Sequence, residues 1–162
     1  MTLITDEARA WAEREYPDAT FTVGRNDIER YAYAIGEHDP IHHDPEAARA
    51  AGYDDIVAPP LFQYVIRMHT AHLVPRSELA PDGSATADVP PVDTTRAMAG
   101  EISLELGVEV VAGDSVTVKK RIADMHEKEG RSGPLVFVTM EFEFINQRGE
   151  QVARERFTRI YR

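Results

Sequence analysis

The order of residues predicts an α+β protein in which an antiparallel sheet curls around one central buried helix. Helical patterns fill the first half of the chain and alternating patterns the second, with no return to helix afterwards. The stretch IVAPPLFQYVIRMHTAHL is apolar almost all round. Its polar residues Gln63, Arg67 and Thr70 form one narrow stripe, as suits a helix in the middle of a domain. The second half holds runs that alternate apolar with polar side chains between turn residues, the pattern of strands that bury one face.

Taken in chain order, the opening segment MTLITDEARAWAEREYPDA is charged and amphipathic, and Trp11 and Tyr16 are the side chains able to anchor a helix there. Asn26 followed by Glu29 resembles a capping box. Ile28, Ala32 and Ile35 continue a helical stripe that Gly36 can end. Tyr31 and Tyr33 cannot both face the core. Asp44 reads as an N-cap with Pro45 in the first helical position, opening a short helix from Pro45 to Ala51 that Gly52 closes. The apolar helix is expected from Pro59 to Leu73, since Pro59 and Pro60 are good helix starters. His69 and His72, three apart on it, are expected to be packed or hydrogen-bonded rather than metal ligands.

Residues 74–93, VPRSELAPDGSATADVPPVD, have no usable period, and a stretch of this length suggests a lid, a binding loop or a mobile segment. Ile102, Leu104, Leu106, Val108 and Val110 then alternate with polar or small residues as a half-buried strand would. Ala112, Gly113 and Asp114 make a turn, Val116, Val118 and Ile122 mark the next strand, and HEKEGRSGP reads as a connection. Val136, Val138, Met140, Phe142 and Phe144 alternate again. Asn146 to Gly149 turns the chain into a last strand over Val152 to Tyr161.

A length of 162 residues suits one domain over 1–162, with the long loop at 74–93. There is no cysteine, so disulfides and thiolate chemistry are excluded. No stretch approaches membrane-spanning length and the first residues do not read as a leader, so a cytoplasmic location is expected. A net charge of −10 argues against nucleic acid as a partner. An anionic small ligand stays open if basic residues gather locally. Lys119, Lys120 and Arg121, with Arg154, Arg156, Arg159 and Arg162, are the available clusters, most of them expected on solvated strand faces.

The densest chemistry lies in Glu37-His38-Asp39-Pro40-Ile41-His42-His43-Asp44, three carboxylates and three imidazoles in eight positions. Pro40 stiffens the backbone that presents them, so the loop can hold an acid and a base together. His43 is expected to be exposed and Asp44 to be structural. A metal module built from His38, Asp39, His42 and His43 is a remote alternative, because the ligands crowd one loop and no second pair stands at a helical spacing of four.

The run FTVGRNDIERYAYAIGEHDPIHHDPEAARAAGYDDIVAPPLF, together with Ala112-Gly113-Asp114 and the final strands, resembles the amino-terminal MaoC-like dehydratase domain. That hot-dog fold is found in R-specific enoyl-thioester hydratases and fatty-acid dehydratases. The resemblance implies a sheet wrapped around the apolar helix and pairing of two hot dogs, as a homodimer or a heterodimer. It implies an acyl-CoA or acyl-carrier-protein thioester as substrate and no metal or organic cofactor.

In that family the motif is an Asp, one residue, Asn, Pro, an aliphatic residue and His. Here Glu37 stands for the Asp, Asp39 for the Asn, and His42 occupies the catalytic His position. Glu37, His42 and Asp39 are therefore the catalytic candidates. Two nearby carboxylates and an imidazole are expected to titrate as a coupled set. The family's oxyanion donor is a Gly amide at the start of the central helix. The matching segment here is Ala58-Pro59-Pro60, whose prolines have no N–H, leaving the amides of Leu61 and Phe62 at the helix start. Ala58, Leu61 and Phe62 are the substrate-binding candidates. Gly100 joins them, from Ala99-Gly100 where many relatives have His-Gly, and Arg96 is a possible phosphate contact. The expected reaction adds water to a trans-2-enoyl thioester to give an R-3-hydroxyacyl thioester, or reverses it, with the apolar helix face and the long loop lining the acyl tunnel. A non-catalytic acyl-binding subunit that pairs with an active hot dog is the alternative.

Overall fold

A computed structural model describes residues 2–71, 75–81, 83–94 and 96–162. Helix α1 (Asp6–Ala12) is opened by Thr5, whose Oγ1 accepts from the Ala8 amide at 3.2 Å. A short strand β1 (Ala19–Thr22) follows, which the sequence pattern did not reveal. Its four residues are too few to show a period.

Helix α2 (Arg25–Ile35) begins two residues earlier than the Asn26 cap predicts. Gly24 is the N-cap, and Asp27 Oδ2 accepts from its amide at 3.0 Å, in the part expected of Glu29. Gly36, at φ 72°, ends the helix as expected, and the Glu37 amide donates to the Ala32 carbonyl at 2.9 Å. Helix α3 (Pro45–Ala50) is capped by Asp44, which accepts from the Glu46 amide at 2.8 Å, and Gly52 follows at φ 98°. Tyr31 packs on the core and Tyr33 points outward, so the two tyrosines do divide between core and solvent.

The central helix is shorter than expected. Helix α4 covers Gln63–Thr70, after a turn in which Leu61 adopts φ 70°. Its burial is one-sided rather than all round. Gln63 and Ile66 are buried and Arg67 is partly buried, whereas Tyr64 and Met68 stand outward, 52% and 55% exposed. Part of the polar stripe joins Ile66 on the inward side because Arg67 finds a buried partner there, the Glu155 carboxylate. His69 stacks on Phe21 with ring centroids 4.6 Å apart, as a packed side chain should, and the His72 and Leu73 expectations lie outside the described residues.

The segment after α4 is not structureless. Two short 3-10 turns, Arg76–Glu78 and Thr86–Asp88, and a bridge between Leu79 and Ala85 fold it back on itself. It is held to the body by the Trp11 indole donating to the Ala87 carbonyl at 3.2 Å and by ion pairs of Asp88 with Arg14 and Lys120.

Strands β2 (Ala97–Leu106), β3 (Ser115–Gly130), β4 (Gly133–Ile145) and β5 (Gln151–Tyr161) complete a five-stranded antiparallel sheet in the order β1-β3-β4-β5-β2. Strand β3 runs through HEKEG to a tight hairpin at Arg131 and Ser132. The expected connection is therefore mostly strand, its polar residues being tolerated because the ladder with β4 continues beneath them. Strand β2 is an edge, and its apolar residues are not half-buried as predicted: Ile102 and Leu106 are each 60% exposed. Val108 and Val110 have left the strand; Val110 is buried in the core and Val108 packs against it, partly buried.

Two apolar clusters share β4. Met140, Phe142 and Phe144 pack under α2 and α4 with Ile28, Phe62 and Ile66, while Val136 and Val138 pack under α1 with Ile4, Ala8 and Tyr161. Among the described residues no helix is long and apolar enough to cross a membrane.

Candidate active site

The loop that leaves α2 is built from its own hydrogen bonds. Glu37 turns its side chain back, and Oε1 accepts from the amides of His38 at 2.9 Å and Asp39 at 3.1 Å. Those two bonds, from Asp39 most and His38 next, hold its carboxyl below the ordinary value. His42 nearby adds a smaller lowering, against which Asp39 acts weakly. Asp39 caps the 3-10 turn Pro40–His42 by accepting from the Ile41 amide at 3.1 Å. His43, expected to be exposed, is half-buried. Its Nε2 lies 3.0 Å from the Glu37 carbonyl and its ring packs on Tyr33 at 4.8 Å.

His42 is the buried member, 6% exposed. Its Nδ1 stands 2.6 Å from the Val57 carbonyl. A carbonyl can only accept, so Nδ1 carries the proton and the neutral ring presents a lone pair at Nε2. Val57 is itself fixed, its amide donating to the Ile41 carbonyl at 3.0 Å, so the backbone that orients the imidazole is tied to the loop that carries it. An imidazole held in that tautomer has the geometry a general base needs, and the lowered Glu37 carboxyl lies on the same loop.

The amides expected to receive an oxyanion divide into used and free ones. The Ala58 amide donates to the Val110 carbonyl at 2.8 Å, and the Phe62 amide to the Pro59 carbonyl at 3.3 Å. Leu61 donates to no acceptor among the described residues, and its left-handed backbone sits at the head of α4. The Tyr31 hydroxyl fixes that turn by donating to the Pro60 carbonyl at 3.2 Å.

Gly100 and Arg96 are not brought to this cluster. Gly100 lies in a bulge of β2, where a Cβ would meet the Thr158 carbonyl at 2.9 Å, so close approach to β5 explains the glycine. Arg96 is paired through its backbone with Arg162 at the opposite end of β2 from Leu106. The metal alternative loses its geometry. No three or more His, Asp or Glu side chains gather as a ligand set among the described residues, and the loop groups are bonded to backbone instead.

A cavity of about 580 Å³ lies beyond α4, between the sheet and the 79–88 segment. Met68, Val118, Met140, Phe142 and Phe157 supply apolar walls, and Arg14, Lys120 and Arg159 reach into it. The sequence named the last two among the basic residues open to an anionic ligand, with most of that set expected on solvated strand faces. The signal that turns these two inward was their place in the alternation. Lys120 falls between Val118 and Ile122, and Arg159 falls two residues beyond Phe157, both at positions that face inward.

The family model described as "FAS1-like, dehydratase domain region" matches residues 10–155. The chain belongs to this hot-dog dehydratase family. Within it, a UPF0336 protein of Saccharopolyspora erythraea is 32% identical over 152 residues, covering 92% of this chain and 87% of that one. A probable enoyl-CoA hydratase alpha subunit of Thermomonospora curvata is 30% identical over 133 residues, covering 80% of this chain and 42% of that protein. The fold is similar to that of the HadBC (3R-hydroxyacyl-ACP dehydratase) complex from Mycobacterium tuberculosis, with a TM-score of 0.64 and 22% identity over 90% of this chain and 92% of that chain. Hot-dog dehydratases thus include the fold found here, a sheet closed over one side of α4.

Proposed function

We propose that the protein is an R-specific 2-enoyl-thioester hydratase, acting in the cytoplasm on acyl-CoA or acyl-carrier-protein thioesters and able to run the reverse dehydration. The observation that supports this most is the His42 imidazole, buried, fixed at Nδ1 by Val57 and offering Nε2 as a base next to the Glu37 carboxylate. In the reaction, Nε2 takes a proton from water as the water oxygen bonds to the β carbon. The same proton then passes to the α carbon, so the sum is one H and one OH added to the double bond. Glu37, kept ionised by the loop amides, accepts a hydrogen bond from the water O–H that is retained in the product hydroxyl and steadies the imidazolium. Asp39 shapes the turn that presents both. The free Leu61 amide at the head of α4 is the donor assigned to the thioester oxygen.

The test is loss of enoyl absorbance on mixing purified protein with trans-2-enoyl-CoA of several lengths. His42→Ala should lower turnover by about 100-fold or more with the fold intact, and turnover unchanged in that variant would refute the assignment. Because the Glu37 carboxyl is lowered, Glu37 should stay ionised through the ordinary carboxylate range and gain its proton only below it, which carbon-13 NMR of the labelled carboxyl checks; titration at the ordinary carboxylate value would refute it.

A second reading is an acyl-binding subunit that works beside a catalytic hot dog. The bonded Ala58 amide and the N–H-less Pro59 favour it, because the usual oxyanion donor is missing. Turnover that appears only when a homologous chain is added would select it.

A further inference from the structure

The cavity beyond α4 is not the plain hydrocarbon tunnel that an unsubstituted acyl chain needs. Four cations line it, Arg14, Arg67, Lys120 and Arg159. Arg67 is neutralised by Glu155 beneath it, and its guanidinium lies 4.9 Å from the centre of the Tyr64 ring. Asp88 must serve two others at once, 2.8 Å from Lys120 Nζ and 3.3 Å from Arg14 Nη2. Arg159 pairs with no carboxylate among the described residues, and the Nε of Arg14 is buried without an acceptor. Glu15, the other acid of the lining, is exposed. A chain of net charge −10 has thus gathered an excess of positive charge at one end of an otherwise apolar cavity.

Cations placed together without counter-ions repel one another, and burial costs each of them hydration. Lys120 shows both effects: burial most, and then Arg14 and Arg159, push its amine down, while Asp88 pulls it up. Such a cluster is stabilised by an anion that enters from outside. The walls around it, Met68, Val118, Met140, Phe142 and Phe157, ask for an apolar stem. Helix α4 spans eight residues, which sets its two ends about 10 Å apart. An acyl chain that starts with its thioester at Leu61 and runs the length of α4 would end near Arg67 and Met68, which line the cationic cavity.

We infer that this cavity accepts acyl groups whose far end is anionic, with a distal carboxylate as the simplest case, held by Arg159, Lys120 and Arg14. The inference rests on the acyl-thioester reading of the site and names its substrate class.

Calorimetric titration with saturated thioesters tests it, because these ligands cannot react. Decanoyl-CoA and the ω-carboxy thioester of equal length are compared on the wild type, Arg159→Met and Arg159→Lys, with circular dichroism melting to verify each fold. The ω-carboxy ligand should bind the wild type about tenfold or more tightly than decanoyl-CoA. Arg159→Met should erase that preference while leaving decanoyl-CoA unchanged, and Arg159→Lys should restore most of it. Equal affinities in the wild type would overturn the inference. So would an Arg159→Met variant that weakens both ligands alike, since Arg159 would then be holding coenzyme A phosphate. Free decanoate binding as tightly as the ω-carboxy thioester would also overturn it, in favour of a fatty acid site. A protein that binds the ω-carboxy ligand through Arg159 yet hydrates no enoyl thioester refutes the proposed activity and leaves this inference standing.

Discussion

Strand β4 hides Val136, Val138, Met140, Phe142 and Phe144, whereas strand β2 leaves Met98, Ile102 and Leu106 in solvent, although both alternate with a period of two. The difference is position in the sheet. Strand β4 has β3 and β5 on either side, and helices α1 and α4 contribute to the clusters over its two ends. Strand β2 pairs only with β5 and has a free edge. Helix α4 also turns Tyr64 and Met68 outward, so two apolar surfaces stand uncovered in one chain. An edge of this kind is a template for another strand, and a second hot-dog subunit is the occupant proposed for it. Alternation therefore states that a strand has an apolar side. It does not state whether that side is covered by the same chain.

The sharpest break of the comparison is Phe144→Ala, at a fully buried position next to the C-terminal end of β4. It should cost about 3 to 5 kcal/mol in thermal or denaturant unfolding. A loss under about 1 kcal/mol would show that the first cluster is not the main core. Next in size is Glu155→Leu on β5, directly opposite Phe142 on β4 and Leu104 on β2. It strands the Arg67 guanidinium in a partly buried site and should cost about 2 to 3 kcal/mol. Adding Arg67→Met should recover part of that loss, which a double-mutant cycle reads directly. The smallest effect on folding belongs to β2. Ile102→Asp with Leu106→Asp should change unfolding of the single chain by no more than about 0.5 kcal/mol per site. The same pair should abolish association with itself or with another hot dog in sedimentation experiments. Unchanged association would remove β2 from the interface.

Much of the site was legible because its bonds are local. Gly36, Asp39, Pro40 and Asp44 each act within a few residues, as an αL cap, a turn cap, a ring-fixed φ and an N-cap. The approach of Glu37 to the His38 and Asp39 amides also lies within that range, although nothing in the residue types announced that the carboxylate would be held there. What fixes His42 was not legible, since the Val57 carbonyl lies fifteen residues away and is positioned by its own bond to Ile41. The use of the Ala58 amide by Val110 is longer in range still.

For the protein as a whole, the sequence by itself determined most element types and turns, the loop dense in carboxylates and imidazoles, and the resemblance to a hot-dog dehydratase, while β1 and the strand through HEKEG escaped it. Each of these follows from periodicity, capping and backbone freedom over a few residues. Only the tertiary structure decided which apolar faces are covered, which amides remain free, and that Lys120 and Arg159 meet in one cavity. Covering a face, satisfying an amide and gathering like charges all depend on what lies opposite across the sheet, and in this chain those partners are tens of residues apart.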